Sequence, residues 1–249
     1  MVAGGAVHGS GWDNLGDWSA PRATYAEAAE ALARRLWSHA GVGAGARVLD
    51  VGCGAGAQIG VWRAGGAADV LGFEPDAARA SAAAARWAQD AGVRVQQADA
   101  AAVGAESNGS RDVVVVLDAL YHFADRARFI RDARRVLVDG GRLAFCTVVA
   151  PSGGRGLAVW RAIGRGFEMP DGVPGEGMLR DELAAGGFVD VRVDDASDAV
   201  LRGFATEGGR CIDAGAGWRR RMRVAVTRQG CRTALALGAR YVVVSCRAG

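Results

Sequence analysis

Residues 48–56 read VLDVGCGAG, an apolar run that passes straight into glycines. Glycine accepts the backbone of a tight turn and carries no side chain, so a nucleotide can come close to the main chain there. A helix that follows such a turn aims its first N–H groups at the same place. Gly52, Gly54 and Ala57 meet the Gly-x-Gly-x-x-Gly/Ala spacing of a dinucleotide site, and Glu74 is the acid expected about twenty positions later to hold a ribose. The second group able to do chemistry is His122, next to Tyr121 in the stretch DALYHF, just past four valines and a leucine. A histidine where a buried run ends is either a packed core imidazole or a base at the mouth of a sheet. His8 and His39 lie too far off in sequence to form a metal set with it by spacing, so no metal is expected.

These residues must be positioned by alternating elements. The spacing of Ala28, Leu32 and Leu36 predicts a helix over 25–37. Strands are predicted at 48–51, 70–73, 93–97, 112–117 and 143–149, with helices between them at 58–63, 77–90 and 127–138. The run 112–117 has no polar face, as expected at the buried centre of a parallel sheet. Beyond Pro151 the rhythm changes to a helix around Trp160, a loop broken by Pro170 and Pro174, a helix at 178–185, a strand at 188–193, a helix at 218–237 and a strand at 240–246. The fold class is α/β, a Rossmann-like doubly wound, mostly parallel sheet. No linker or repeat divides residues 1–249, which read as one domain. Residues 1–40 are its N-terminal lid and helix, and 151–180 a lid insertion.

In this pattern the chain resembles the class I S-adenosylmethionine-dependent methyltransferases. Asp50, Gly52, Gly54 and Gly56 match their first motif, Glu74 the ribose-binding acid, Asp99 in QQADA the adenine-side acid, and RVLVDGGRLAF the entry to strand five. The resemblance implies S-adenosyl-L-methionine as cofactor, held also by Ala100 and Asp118, and a seven-stranded sheet whose last strand is antiparallel. It also implies a small-molecule acceptor. His122 matches the general base that sugar and polyketide O-methyltransferases of antibiotic pathways place after strand four, with Tyr121 beside it as a second catalytic candidate. Where those proteins often carry an orienting aspartate in strand five, this chain reads AFCTVV, with Thr147 the nearest polar residue. NLGDWSAP is similar to the asparagine, glycine and tryptophan pattern of tocopherol-, sterol- and macrolide-type methyltransferases, which makes Trp18 a lid contact. Trp160, Phe167 and Met169 fall in the insertion that lines the acceptor pocket in that family; Trp160 and Phe167 are the candidate acceptor contacts.

Composition narrows the chemistry. The chain contains no lysine, so its 30 cations are all arginine, which excludes a Schiff base or a P-loop lysine. A net charge of +3 over 249 residues, without a basic stripe, argues against nucleic acid as the partner. Five scattered cysteines suggest a reducing compartment. The start shows no signal-peptide pattern and no span approaches the ~18 apolar residues of a membrane helix, so a cytoplasmic protein without a membrane partner, monomer or homodimer, is expected. The functional expectation is O-methylation of a natural-product acceptor with His122 as base. Carbon or nitrogen methylation, a dinucleotide-dependent oxidoreductase, and a cofactor-binding protein without catalysis are its alternatives.

Overall fold

Two cores, one on each side of a sheet, explain why the strands are apolar on both faces. Val48 of β1 (Arg47–Val51) belongs to one cluster and Leu49 to the other. In β4 (Arg111–Val116), Val113 and Val115 join the first while Val114 and Val116 join the second. Successive strand side chains project to opposite faces, so an unbroken valine run is what helices on both sides demand. The remaining strands are β2 (Asp69–Glu74), β3 (Val93–Gln97), β5 (Leu137–Val149), β6 (Phe188–Asp195) and β7 (Arg240–Ala248). The computed structural model describes residues 11–153, 156–160, 173–211 and 217–249. It orders the sheet β3-β2-β1-β4-β5-β7-β6, with β1 to β5 parallel and β7 antiparallel between β5 and β6. This is the Rossmann-like sheet expected, with the last strand antiparallel.

The helices are α1 (Tyr25–Ala40), α2 (Ile59–Ala64), α3 (Ala77–Arg86), α4 (Arg126–Val136), α5 (Glu176–Ala185), α6 (Gly203–Glu207) and α7 (Trp218–Leu237). α1, α2 and α7 bury Leu32, Leu36, Trp62, Val224 and Cys231 in the first core; α4 and α5 bury Phe129, Ile130, Leu179 and Leu183 in the second. α1 starts at a reciprocal capping box between Thr24 and Glu27, a device whose cap alone contributes ~1 kcal/mol.

Three of the departures from the predicted elements change the packing. α3 stops at Arg86 instead of running to Asp90, because Trp87 turns its indole to donate from Nε1 to the carbonyl of Gly56 at 2.8 Å. β5 begins at Leu137, which pairs with Arg111 ahead of a bulge and so takes over the end of the predicted helix and the glycines after it. A wide helical turn at Asp198–Arg202 running into α6 was not foreseen; it brings Phe204 edge-on to Trp18.

α1 also anchors the segment before it. Asp17 N donates to Ala28 O at 2.8 Å, Asn14 Nδ2 to Ala29 O at 3.2 Å, and Tyr25 Oη to Asn14 O at 2.8 Å. Residues 11–18 thereby form a strap laid against α1, held further by Trp18 N to Ala199 O at 3.0 Å.

Candidate active site

The carboxyl ends of β1, β2 and β4 open onto a cavity of about 610 Å³. Its floor is the glycine turn after β1. Gly52 and Gly54 have φ of +85° and +57°, and a Cβ on Gly52 would lie 2.7 Å from the Ala119 methyl. Only glycine keeps this turn both left-handed and open. The turn is drawn toward β2 by its own amides: Gly52 N and Cys53 N donate to Phe73 O at 2.8 and 3.0 Å.

Glu74, 3% exposed, closes β2 with a carboxylate shared among three donors. Oε2 accepts from Gly54 N at 3.0 Å, while Oε1 accepts from Asp76 N at 3.0 Å and pairs with Arg79 Nη2 at 3.0 Å. Arg79 also lies 3.9 Å from Asp13 of the strap. Asp99 caps the short turn of residues 100–105 by accepting from Ala101 N at 3.0 Å, and both Asp99 and Ala100 line the cavity. Six carboxylates, Asp13, Glu74, Asp99, Asp118, Asp125 and Asp132, face it against two guanidinium groups, Arg79 and Arg128. Such a wall favours a cationic ligand with a diol over one carrying a pyrophosphate. The fit to S-adenosylmethionine rests on that donor set and on the turn at Gly52, which any Cβ would fill.

On the β4 side, Asp118 has φ of +56°, uncommon outside glycine. It is buried, and its Oδ2 accepts from Leu15 N of the strap at 3.0 Å while its Oδ1 accepts from Tyr121 Oη at 3.0 Å. Burial pushes its pKa up to about 6 against those hydrogen bonds. The hydroxyl of Tyr241 lies beside Asp118 and Cys146 without an aligned hydrogen bond. Burial, with the adjacent Asp118 charge, raises the Tyr121 phenol well above its ordinary value, so it stays protonated and donates. Its ring meets the His122 imidazole edge-on at 4.5 Å between centroids. His122 lines the cavity, and burial, helped by the Arg79 charge, lowers its pKa below 6.5. The imidazole is therefore neutral at pH 7 and able to accept a proton. Thr147 gives it no partner; that hydroxyl donates back to Val148 O at 3.4 Å and lies off the cavity.

Of the residues singled out by sequence, Gly52, Gly54, Glu74, Asp99, Ala100, Asp118, Tyr121 and His122 come together around this cavity. Four others do not line it. Asp50 is fully buried under the turn, accepting from Gln58 Nε2 at 2.8 Å and Trp62 Nε1 at 2.8 Å; burial raises its pKa to about 7. Gly56 instead lets the turn pack on α3, where a Cβ would meet the Ala83 methyl at 3.0 Å. Trp18 is buried against Phe204 and donates from Nε1 to Leu15 O at 2.8 Å, and Trp160 is buried in the first core. Phe167 and Met169 lie outside the described residues. The sequence reading missed Asp13 and Arg79. Asp13 adjoins the Asn14 and Gly16 pattern, a signal that could have found it, whereas nothing in the spacing marks Arg79.

A family model described as a methyltransferase domain matches residues 49–145. The chain is 38% identical over 146 residues to 27-O-demethylrifamycin SV methyltransferase of Amycolatopsis mediterranei, covering 55% of this chain and 53% of that protein. It is 32% identical over 203 residues to erythromycin 3''-O-methyltransferase of Saccharopolyspora erythraea, covering 76% and 65%. The matches thus span between half and two thirds of those relatives' lengths. Among solved structures, the [4+2]-cyclase SpnF shares the fold with a TM-score of 0.71 at 24% identity, over 94% of this chain and 87% of that one. With the glycine turn, the β2 acid and the sheet order in place, residues 49–145 carry a methyltransferase domain on the class I S-adenosylmethionine-dependent fold.

Proposed function

We propose that this protein O-methylates a small-molecule acceptor of natural-product biosynthesis, with His122 as general base, residues 1–249 acting as one unit. The observation that carries this reading is a neutral, cavity-facing imidazole past β4, opposite an acid-rich wall built on Gly52, Gly54 and Glu74. The names of the rifamycin and erythromycin relatives, both O-methyltransferases, support the acceptor class.

When bound, S-adenosylmethionine supplies an electrophilic methyl with a neutral thioether as its leaving group. Glu74 and Asp99 hold its hydroxyl and adenine sides, and the Gly52–Gly54 turn admits it to the backbone. Its placement against the acceptor accounts for ~7 to 11 kcal/mol of barrier when the geometry is right. The strap, through Asp13 and Asn14, covers the cavity and excludes water. His122 takes the proton of the acceptor hydroxyl, and Tyr121, tied to Asp118, fixes one side of the imidazole.

Calorimetric titration with S-adenosylhomocysteine and, in parallel, NAD tests the cofactor, repeated on Glu74→Ala. Binding of the former that is lost in the variant is expected; binding of NAD alone overturns the reading. Acceptor screening with His122→Ala then separates oxygen from carbon or nitrogen acceptors, since a neutral amine or an electron-rich carbon attacks the methyl before losing its proton and needs less help from a base.

A further inference from the structure

Arg79 stands between two acids that belong to different parts of the site. Its Nη2 pairs with Glu74 Oε1 at 3.0 Å, and its Nη1 lies 3.9 Å from Asp13 Oδ2, within reach of an ion pair but too long for a hydrogen bond. Asp13 belongs to the strap and sits on the glycine turn, since a Cβ on Gly54 would fall 3.3 Å from the same Oδ2. One guanidinium therefore reaches from the acid that closes β2 to the segment that covers the cavity.

The carboxylate of Glu74 is nearly filled. Oε1 meets Asp76 N and Arg79 Nη2, and Oε2 accepts from Gly54 N. A carboxylate has about four lone-pair positions, so both hydroxyls of a diol can be served only if one of these three neighbours withdraws. Two of them are main-chain amides, one in the glycine turn and one at the N-cap of α3. Arg79 is the one side chain among them, and its long stem can rotate. Among the described residues, two other carboxylates are within its reach. Asp76 Oδ1 lies 3.9 Å from Arg79 Nε, but that side chain is 50% exposed and already caps α3 at Arg79 N. The Asp13 side chain is 16% exposed, and a charge pair there is screened less by water and salt.

We propose that Arg79 is a latch between the diol site and the strap: a diol on Glu74 displaces the guanidinium, which passes to Asp13 and fastens residues 11–18 over the cavity. Arg79 is a positioning residue, acting through Asp13 and not on the reacting atoms. Binding and fastening form one coupled equilibrium, so each strengthens the other by the same factor. The latch rests on the reading of Glu74 as the acid that holds the ribose hydroxyls.

The test is calorimetric titration with S-adenosylhomocysteine, run beside limited proteolysis of residues 11–18 with and without that ligand. In the parent the ligand should slow cleavage of the strap. Asp13→Asn leaves the displaced guanidinium without its second acid, so affinity should fall about fivefold and the protection should be lost. Adding Arg79→Gln to Asp13→Asn removes the ion pair that the diol must break; affinity should return toward that of the parent while the protection stays lost. A merely structural role for Arg79 gives no such rescue, because losses of packing accumulate. A double variant that binds no better than Asp13→Asn overturns the proposal, as does an Asp13→Asn variant with parental affinity and protection. Rescue by Arg79→Gln of Asp76→Asn, and not of Asp13→Asn, also overturns it, since the guanidinium then passes to Asp76. Glu74→Ala tells two failures apart. Parental affinity in that variant removes Glu74 as the diol acid and the latch with it, whereas lost affinity without rescue of Asp13→Asn removes the latch alone.

Discussion

The carboxylate of Asp118 joins the strap to the turn after β4, accepting from Leu15 N and from Tyr121 Oη at 3.0 Å each. Asparagine can reproduce both contacts, with its oxygen toward Leu15 N and its amide donating to a reoriented Tyr121 hydroxyl, and it tolerates a left-handed backbone. It cannot ionise. Because the folded-state pKa of Asp118 lies near 6, above the unfolded 3.8, the native state binds more protons across that interval and loses stability as pH rises through it. Asp118→Asn removes this loss, on the order of 3 kcal/mol at most. Thermal melting should therefore show the variant gaining on the parent at pH 8 and matching it near pH 4. Asp118→Ala leaves Leu15 N and Tyr121 Oη without their acceptor and should melt lower at both pH values.

His122 gives the second prediction. If it takes the acceptor's proton, His122→Ala lowers the rate on a hydroxyl acceptor by about 10²–10⁴-fold and leaves S-adenosylhomocysteine affinity near that of the parent. Burial lowers its pKa, so the acid limb of the rate profile should fall only below pH 6.5 and the profile should stay flat through neutrality. A limb centred above pH 7 would point to another base.

Glu74 and Arg79 form a pair that cofactor binding must accommodate, since the oxygen nearest Arg79 is one of the two a ribose diol would use. Glu74→Ala removes a charged acceptor for Gly54 N and should weaken S-adenosylhomocysteine roughly 10- to 100-fold. Glu74→Gln keeps one acceptor oxygen and should lose less. Equal affinities for both variants and the parent, read by calorimetry, would take Glu74 out of the cofactor site.

What was readable in the sequence depended on whether local spacing decided the outcome. The valine run of β4 could be buried only between two helical layers, and Gly52, Gly54, Glu74 and His122 sit at strand ends, where order along the chain fixes position. Asp50 was read as a cofactor contact because it precedes the glycines. It shares the parity of Val48 in β1, which turns it to the side covered by α2, where Gln58 and Trp62 bind it. Trp87 shows the opposite limit: an alanine-rich stretch favours continued helix, but its end is tied down by tertiary bonds, Trp87 to Gly56 and Arg63 to Asp90. Arg79 meets Glu74 and Asp13 across three elements, a juxtaposition that no pattern within one of them reveals.

Gly16 decides whether the strap can lie down. Its φ is +79°, and a Cβ there would fall 2.9 Å from the Ala28 methyl and 3.1 Å from the Ala28 carbonyl carbon in α1. Gly16→Ala must therefore strain the backbone and also lift the strap off the helix, loosening Asp17 N from Ala28 O and Leu15 N from Asp118. The left-handed conformation alone costs an alanine about 1–2 kcal/mol, and the collision with α1 adds to it. The sheet and its two cores do not depend on that contact. The variant should keep its far-ultraviolet circular dichroism while limited proteolysis cuts near residues 11–18 faster than in the parent. Cofactor affinity should fall with it, because Asp13 and Asn14 would no longer cover the cavity. Parental resistance to proteolysis together with parental affinity would show that the strap is not the cover of this site.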